Sequence, residues 1–394
     1  MRSENNKGWS ARPKADAWPW RTGQRDANGA LGASLRLARS ADLQRVPLLR
    51  QPFRLATLAE RLKLVRRKAA GSLPAESMNG KLPWCAAVLL VLRAGPASAE
   101  AASRLNLPPS TSLILDDIYS GRRDLALPEI HHLEEQAPEN PLGYLLEAEA
   151  DWWRIWWDSA EFKYAMTMAR HHDKAPGDQH YLDLTTKAYN LAEKQLRQQN
   201  TGEMHLYAAM ADGLAARLYG IRGESRAGAR AGVRARENFL AALQLDPSLC
   251  DAYTGLGLYN YYVDTLSMMA KALRFLMGIP GGSKEEGIRQ LHRGIAEGQI
   301  SPALARYYLA LNLLNYDQRY EEAIEVITPL AQEYPGNPIY QLMLGDLQAR
   351  LARKEQAAVY YRAADAAAVD VPESECRSKA RQLAHQSLES LGKK

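Results

Sequence analysis

The histidines are the first residues to weigh, because imidazole beside carboxylate can hold a metal ion or move a proton. They gather in MARHHDKAPGDQH, where His171, His172, Asp173, Asp178 and His180 lie within ten positions. Zinc sites use spacings that fix three or four ligands at once. This run has no such spacing, and Pro176-Gly177 marks a turn inside it. The expectation is a solvated stretch with no metal, and the same holds for His131-His132 on a helix edge. GIPGGSKEE (278–286) has the glycines of a phosphate loop but not the Gly-Lys-Ser/Thr entering a helix after a strand. Ser283 and Glu286 read instead as a capping box. No Ser/His/Asp or Cys/His set and no paired carboxylates stand out by spacing. The reading is a non-enzyme with no cofactor.

Aromatic side chains are the remaining candidates, and their chemistry is binding. ADWWRIWWDSAEF carries Trp152, Trp153, Trp156 and Trp157. Spacings of three and four put them on a broad helix face, either as packing or as anchors for a ligand.

The element that positions them is a repeat. Ala323, Ile327 and Leu330 lie 34 residues before Ala357, Tyr361 and Ala364. Leu311 is likewise 34 residues before Gly345. A fixed period of this length belongs to helical-pair solenoids. Small residues let two helices approach closely, large ones fill the groove beside them, and a proline such as Pro335 stops the helix. Ala126, Ile130, Leu133 and Pro138 repeat the set, as do Ala235, Phe239, Ala242 and Pro247. Gly287, Leu291 and Gly294 repeat it without proline. Asn140-Pro141, Asn337-Pro338 and Ser301-Pro302 read as helix starts. A helical bundle with accidental spacing is the alternative.

On these residues the chain resembles the tetratricopeptide repeat (TPR) superfamily over roughly residues 111–369. The resemblance implies an all-α fold: a right-handed α-solenoid of antiparallel helix pairs, five to six of them, closed by a C-terminal capping helix at 373–391. It also implies that first-helix side chains line a concave groove. Carried onto this sequence, these are Glu149, Trp152, Thr254, Leu258, Tyr261, Tyr308, Asn312, Asn315, Leu342 and Asp346, with Trp156 added from the tryptophan cluster. The Lys/Asn clamp that some TPR domains place on a C-terminal carboxylate is missing. Two stretches depart from the period. ESRAGARAG (224–232) reads as a Gly/Arg loop. TLSMMAKALRFLMGIPGGS adds an inserted amphipathic helix at about 264–282, with Leu266, Met269, Ala270, Leu273, Leu276 and Met277 on its apolar face and Gly278 as its cap. It either presents a contact surface or covers a gap in the core.

Charge divides the chain. Residues 1–77 carry 16 Lys and Arg against 6 Asp and Glu, and the rest carries 34 against 39. All 19 tyrosines lie at or after Tyr119. The overall formal charge of +5 therefore belongs to a leader, and a nucleic-acid partner is not expected. Residues 1–77 read as a disordered leader or a mis-assigned start. MNGKLPWCAAVLLVLRAGPASA (78–99) reads as a signal peptide with cleavage before Glu100, too short to span a bilayer. A signal sequence preceded by a leader of this length is an inconsistency within that reading. Of three cysteines, Cys85 falls in the signal segment, while Cys250 and Cys376 are expected unpaired and buried.

Two functions follow as expectations. One is a periplasmic or envelope scaffold that takes a protein or peptide partner in an aromatic groove, with peripheral association with the envelope. The other is a small-molecule component of an uptake system, loosely similar to the TPR component of TRAP transporters, with an apolar ligand between Trp152–Trp157 and the insert. A third, weaker resemblance is to eukaryotic TPR proteins of inclusion-body clearance, against which the signal peptide argues.

Overall fold

Steps of three and four between apolar residues dominate the chain, and helices follow from them. The computed structural model describes residues 105–159, 173–266, 268–276 and 278–392. The leader, the signal segment, His171, His172 and Met277 lie outside the described residues, as do the side chains of Met269 and Leu273. Every described element is helical. In order they are α1 (Ser110–Tyr119), α2 (Arg123–Gln136), α3 (Pro141–Ser159), α4 (Gly177–Leu196), α5 (Gly202–Ile221), α6 (Ser225–Leu245) and α7 (Asp251–Thr265). Then come α8 (Met268–Leu276), α9 (Lys284–Glu297), α10 (Pro302–Asn312), a π-helical turn (Leu313–Asp317), α11 (Tyr320–Glu333), α12 (Pro338–Arg350), α13 (Lys354–Ala368) and α14 (Ser374–Gly392).

Helices pack as successive couples: α1 with α2, α3 with α4, α5 with α6, α7 with α9, α10 with α11, and α12 with α13, followed by α14. The periodic residues form the seams. Ala126, Ile130, Ala242, Leu291, Ala323, Ile327, Ala357, Tyr361 and Ala364 are all fully buried. At two seams only glycine fits. A Cβ on Gly345 would collide with the Tyr361 ring, and one on Gly257 would stand 2.9 Å from the Gly287 carbonyl oxygen. Backbone therefore meets backbone where α7 crosses α9.

Caps fix several boundaries. Asn140 Oδ1 accepts from Leu142 N at 2.9 Å, and Asn337 Oδ1 accepts from Ile339 N at 3.0 Å. Ser283 Oγ accepts from the Glu286 amide. Ser301-Pro302 does open α10, but the Ser301 hydroxyl makes no cap there and donates to Asp251 Oδ1 at 2.9 Å. The 224–232 stretch also departs from expectation, because it is the start of α6 and not a loop. Gly228, Ala231, Ala235 and Phe239 fall on the buried side, while Arg226, Arg230 and Arg234 follow one another at steps of four on the other side. Burial of that stripe outweighs the low helix propensity of its glycines.

The first helices of different couples also meet. α3 touches α5, α5 touches α7, and α7 touches α10. More telling are contacts between the two ends of the described chain. Tyr340 Oη donates to the Tyr119 carbonyl at 3.1 Å, Asn337 Nδ2 donates to the same oxygen at 2.8 Å, and Tyr334 Oη donates to Asp116 at 3.1 Å. Arg123 lies 3.6 Å from Glu373. A repeat array in which each unit touches only its neighbours has no such contacts.

Candidate functional site

Most of the residues expected to line an open groove are instead packed against one another. α3 contributes Glu149, Trp152 and Trp156, all buried. Trp152 stacks on Trp156 with ring centres 6.1 Å apart and leans on Tyr181 of α4 at the same distance. Trp156 Nε1 donates to the Tyr307 hydroxyl of α10 at 2.6 Å. Trp153 packs edge-on against Tyr307 at 5.0 Å and against Tyr340 of α12 at 6.3 Å. Helices distant in sequence thus share one aromatic core. The four tryptophans cover more than one stripe because neighbours press on α3 from several sides.

One charge pair sits inside this core. Arg217 of α5 donates through Nη1 to Glu149 Oε2 at 2.8 Å, and its guanidinium lies over Trp152 at 5.7 Å and over Tyr308 at 5.5 Å. Burial lifts the Glu149 carboxyl above the usual carboxylate range, while Arg217 pulls it back. Burial also lifts the Tyr308 hydroxyl to about 12, against the pull of Arg217. The hydroxyls of Tyr119, Tyr181, Tyr307 and Tyr340 are raised as well, first by burial. These tyrosine hydroxyls therefore stay protonated at neutral pH.

Tyr261, Asn312 and Asn315 form a second group at the π-helical turn. The Tyr261 hydroxyl donates to Asp317 Oδ2 at 2.9 Å and to the Asn312 carbonyl at 3.3 Å. Lys284 reaches the same carboxylate at 2.5 Å. Asn315 Nδ2 donates to the Leu311 carbonyl at 2.9 Å. The Asn312 side chain is 0% exposed and meets the Tyr262 hydroxyl in a side-chain hydrogen bond. Trp153 Nε1 and Glu149 Oε1 are buried without a hydrogen bond. Of the other expected groove residues, Thr254, Leu342 and Asp346 are buried, and Leu258 is half-buried.

The histidine-rich stretch is drawn apart. Asp178 makes a two-pronged buried pair with Arg222, at 2.7 and 2.8 Å. His180 points to Glu147 at 3.0 Å, and Asp173 is exposed. Among the described residues no cluster of His, Cys, Asp and Glu is arranged to hold a metal ion. Cys250 and Cys376 are free and buried, with thiols pushed up to about 11 and about 12 by burial first and a neighbouring glutamate second.

The most exposed large apolar side chains among the described residues lie on α8. Met268, Phe275 and Leu276 are 81%, 79% and 79% exposed. One side chain of the helix and the chain that follows it are tied to α7. Lys271 bonds Asp264 at 2.8 Å, the Lys284 amide bonds Asp264 at 3.0 Å, and the Tyr259 hydroxyl donates to the Pro280 carbonyl at 2.9 Å. Gly278 takes the left-handed conformation that ends the helix, at φ +69°. Among the described residues no helix is long and apolar enough to cross a membrane. Sequence reasoning missed Arg217, Tyr307 and Tyr340, since an arginine or tyrosine inside a repeat carries no mark of which helix it will meet. No protein-family model and no curated protein matches the chain.

Proposed function

We propose that the chain is a non-enzymatic binding or scaffold protein of TPR-like build, with antiparallel helix pairs in a right-handed array, that meets its partner through α8 and not through its first-helix face. The observation that supports this is the contrast in exposure. The aromatic residues of that face are consumed in packing, while three large apolar side chains of one nine-residue helix stand in solvent. Large apolar groups exposed together mark contact surfaces. Placement in an exported compartment rests on the 78–99 segment alone, and fractionation of native cells tests it.

Site-specific photocrosslinking tests the binding surface. A benzophenone side chain at position 275 is expected to give adducts in native extract, and one at position 152 none. Adducts from 152 alone overturn the reading and restore the inner groove.

A second reading, a small polar ligand held inside the helix array, is favoured by Trp153 Nε1 and Glu149 Oε1, both buried without a hydrogen bond. Such atoms call for a bound water or ligand group. Native mass spectrometry of the purified protein tests it: an unaccounted mass lost on denaturation supports it, and the bare chain mass opposes it.

A further inference from the structure

Three carboxylates meet two fixed cations where α2, α3 and α4 come together. Glu147 and Asp151 of α3 are buried, and Glu134 of α2 is half-buried beside Glu147. Arg123 of α2 donates through Nε to Asp151 at 2.8 Å and lies 3.6 Å from Glu373 of α14. Lys187 of α4 sits 3.9 Å from the centre of the Tyr144 ring and acts on Glu134. Two imidazoles face the same carboxylate: His180 Nε2 is 3.0 Å and His131 Nε2 is 3.7 Å from Glu147 Oε1. His180 Nε2 is also 3.7 Å from Asp151 Oδ2, which is buried without a hydrogen bond. Their neighbours His132 and Asp178 are engaged elsewhere, with Gln136 and Arg222. The stem of Glu134 lies flat on α3, where a Cβ added to Gly143 would stand 2.6 Å from Glu134 Cγ. Its carboxyl is in hydrogen-bond reach of Glu147, a bond that two carboxylates form only by sharing a proton.

We propose that this corner is a proton-operated clasp: a proton shared by Glu134 and Glu147 holds α2 against α3, and its release above neutral pH lets α2 part from α3. With the proton in place, Glu147 and Asp151 are balanced by Arg123 and Lys187. Without it one negative charge is in excess, and like charges at this range repel. The histidines act in the same direction, because an imidazole carries a positive charge only on the acid side. Burial and then Glu147 raise the Glu134 pKa to about 7, which places the release near neutral pH. Helix α2 is built to yield. It packs mainly on α1 and α3, and Pro128 inside it supplies no N–H to the helical ladder. Parting bares its buried stripe of Ala126, Ile130 and Leu133. It also draws Arg123 away from Glu373, one of the contacts between the two ends of the described chain.

Hydrogen exchange of the full chain, read by mass spectrometry on peptides from α2 and corrected for the intrinsic pH dependence of exchange, tests the clasp. Protection of α2 is expected to fall about fivefold between pH 6 and pH 8. Peptides from α9, which carries none of these groups, should keep their protection. Glu134→Gln removes the titrating carboxyl but keeps a donor for Glu147, so α2 should stay protected at both pH values. Glu147→Gln breaks the same pair and should also remove most of the fall, which keeps the test open if one variant does not fold. Protection of α2 that does not change with pH overturns the proposal, as does a full fall that persists in the glutamine variants. An equal fall in α9 overturns it too, since that marks a general loss of stability and not a clasp.

Discussion

Single side chains decide whether the interior is a site or a core. Removing one partner of a buried ion pair leaves the other charge stranded, at about 3–5 kcal/mol. Arg217→Met is therefore expected to lower unfolding free energy by roughly 3 kcal/mol in urea titrations. Pairing it with Glu149→Gln should restore much of the loss. A double mutant as unstable as the sum of the singles would deny the coupling. Glu134 gives a second test. Burial and the neighbouring Glu147 carboxylate raise its pKa to about 7. The folded value exceeds the unfolded one, so its contribution is complete below about pH 4.5 and is lost as pH rises through about 7. Because this side chain is only half-buried, solvent screening leaves on the order of 1 kcal/mol. Stability should fall by that amount between about pH 5 and pH 8, and Glu134→Gln should flatten the slope. An unchanged slope in the variant places the titration elsewhere.

Helices are the most legible level of this chain. The 34-residue offset by itself assigns Ala323, Ile327, Ala357 and Tyr361 to seams, and all four are buried there, because spacing alone determines which face of a helix is apolar. The 224–232 segment defeats the same kind of reading because its glycines resemble breakers. Gly228 and Ala231 in fact continue a buried stripe of three-and-four steps, and arginines occupy the other side. Glycine has opposite meanings at two helical sites, and substitution separates them. Gly257→Ala would push a Cβ to 2.8 Å from Leu291 and 2.9 Å from the Gly287 carbonyl, so neither helix can yield without shifting its backbone. Crowding of this kind costs about 1–3 kcal/mol, more than the gain of about 1 kcal/mol in helix propensity. Gly213 on α5 has nothing within 4 Å, so Gly213→Ala is expected to stabilise by about 0.5–1 kcal/mol. Denaturation midpoints moving in the same direction for both variants would contradict the seam assignment.

For the molecule as a whole, the repeat pattern implies an open groove and the structure shows a packed interior among the described residues. The gap has a physical cause. A repeat pattern records contacts one period away, whereas Tyr119–Tyr340 and Trp153–Tyr307 join helices that no local spacing relates. Most of the candidate groove residues do face inward as their positions imply, but whether inward means open or filled depends on those long-range meetings. Contacts between the two ends of the described chain should also make unfolding cooperative, where linear repeat arrays melt in parts. Asn337→Ala removes both a cap and a bond to the Tyr119 carbonyl and is expected to cost about 2 kcal/mol. It should also separate the helical and fluorescence transitions, which coincide in the parent protein.

The most direct test of the filled interior is acrylamide quenching of tryptophan emission. Replacing Trp9, Trp18, Trp20 and Trp84 with phenylalanine leaves Trp152, Trp153, Trp156 and Trp157 as the sole emitters. All four are buried, so blue-shifted emission that acrylamide barely quenches is the predicted result. Emission near that of a solvated indole, quenched efficiently, would mean that the first-helix face is an open groove after all.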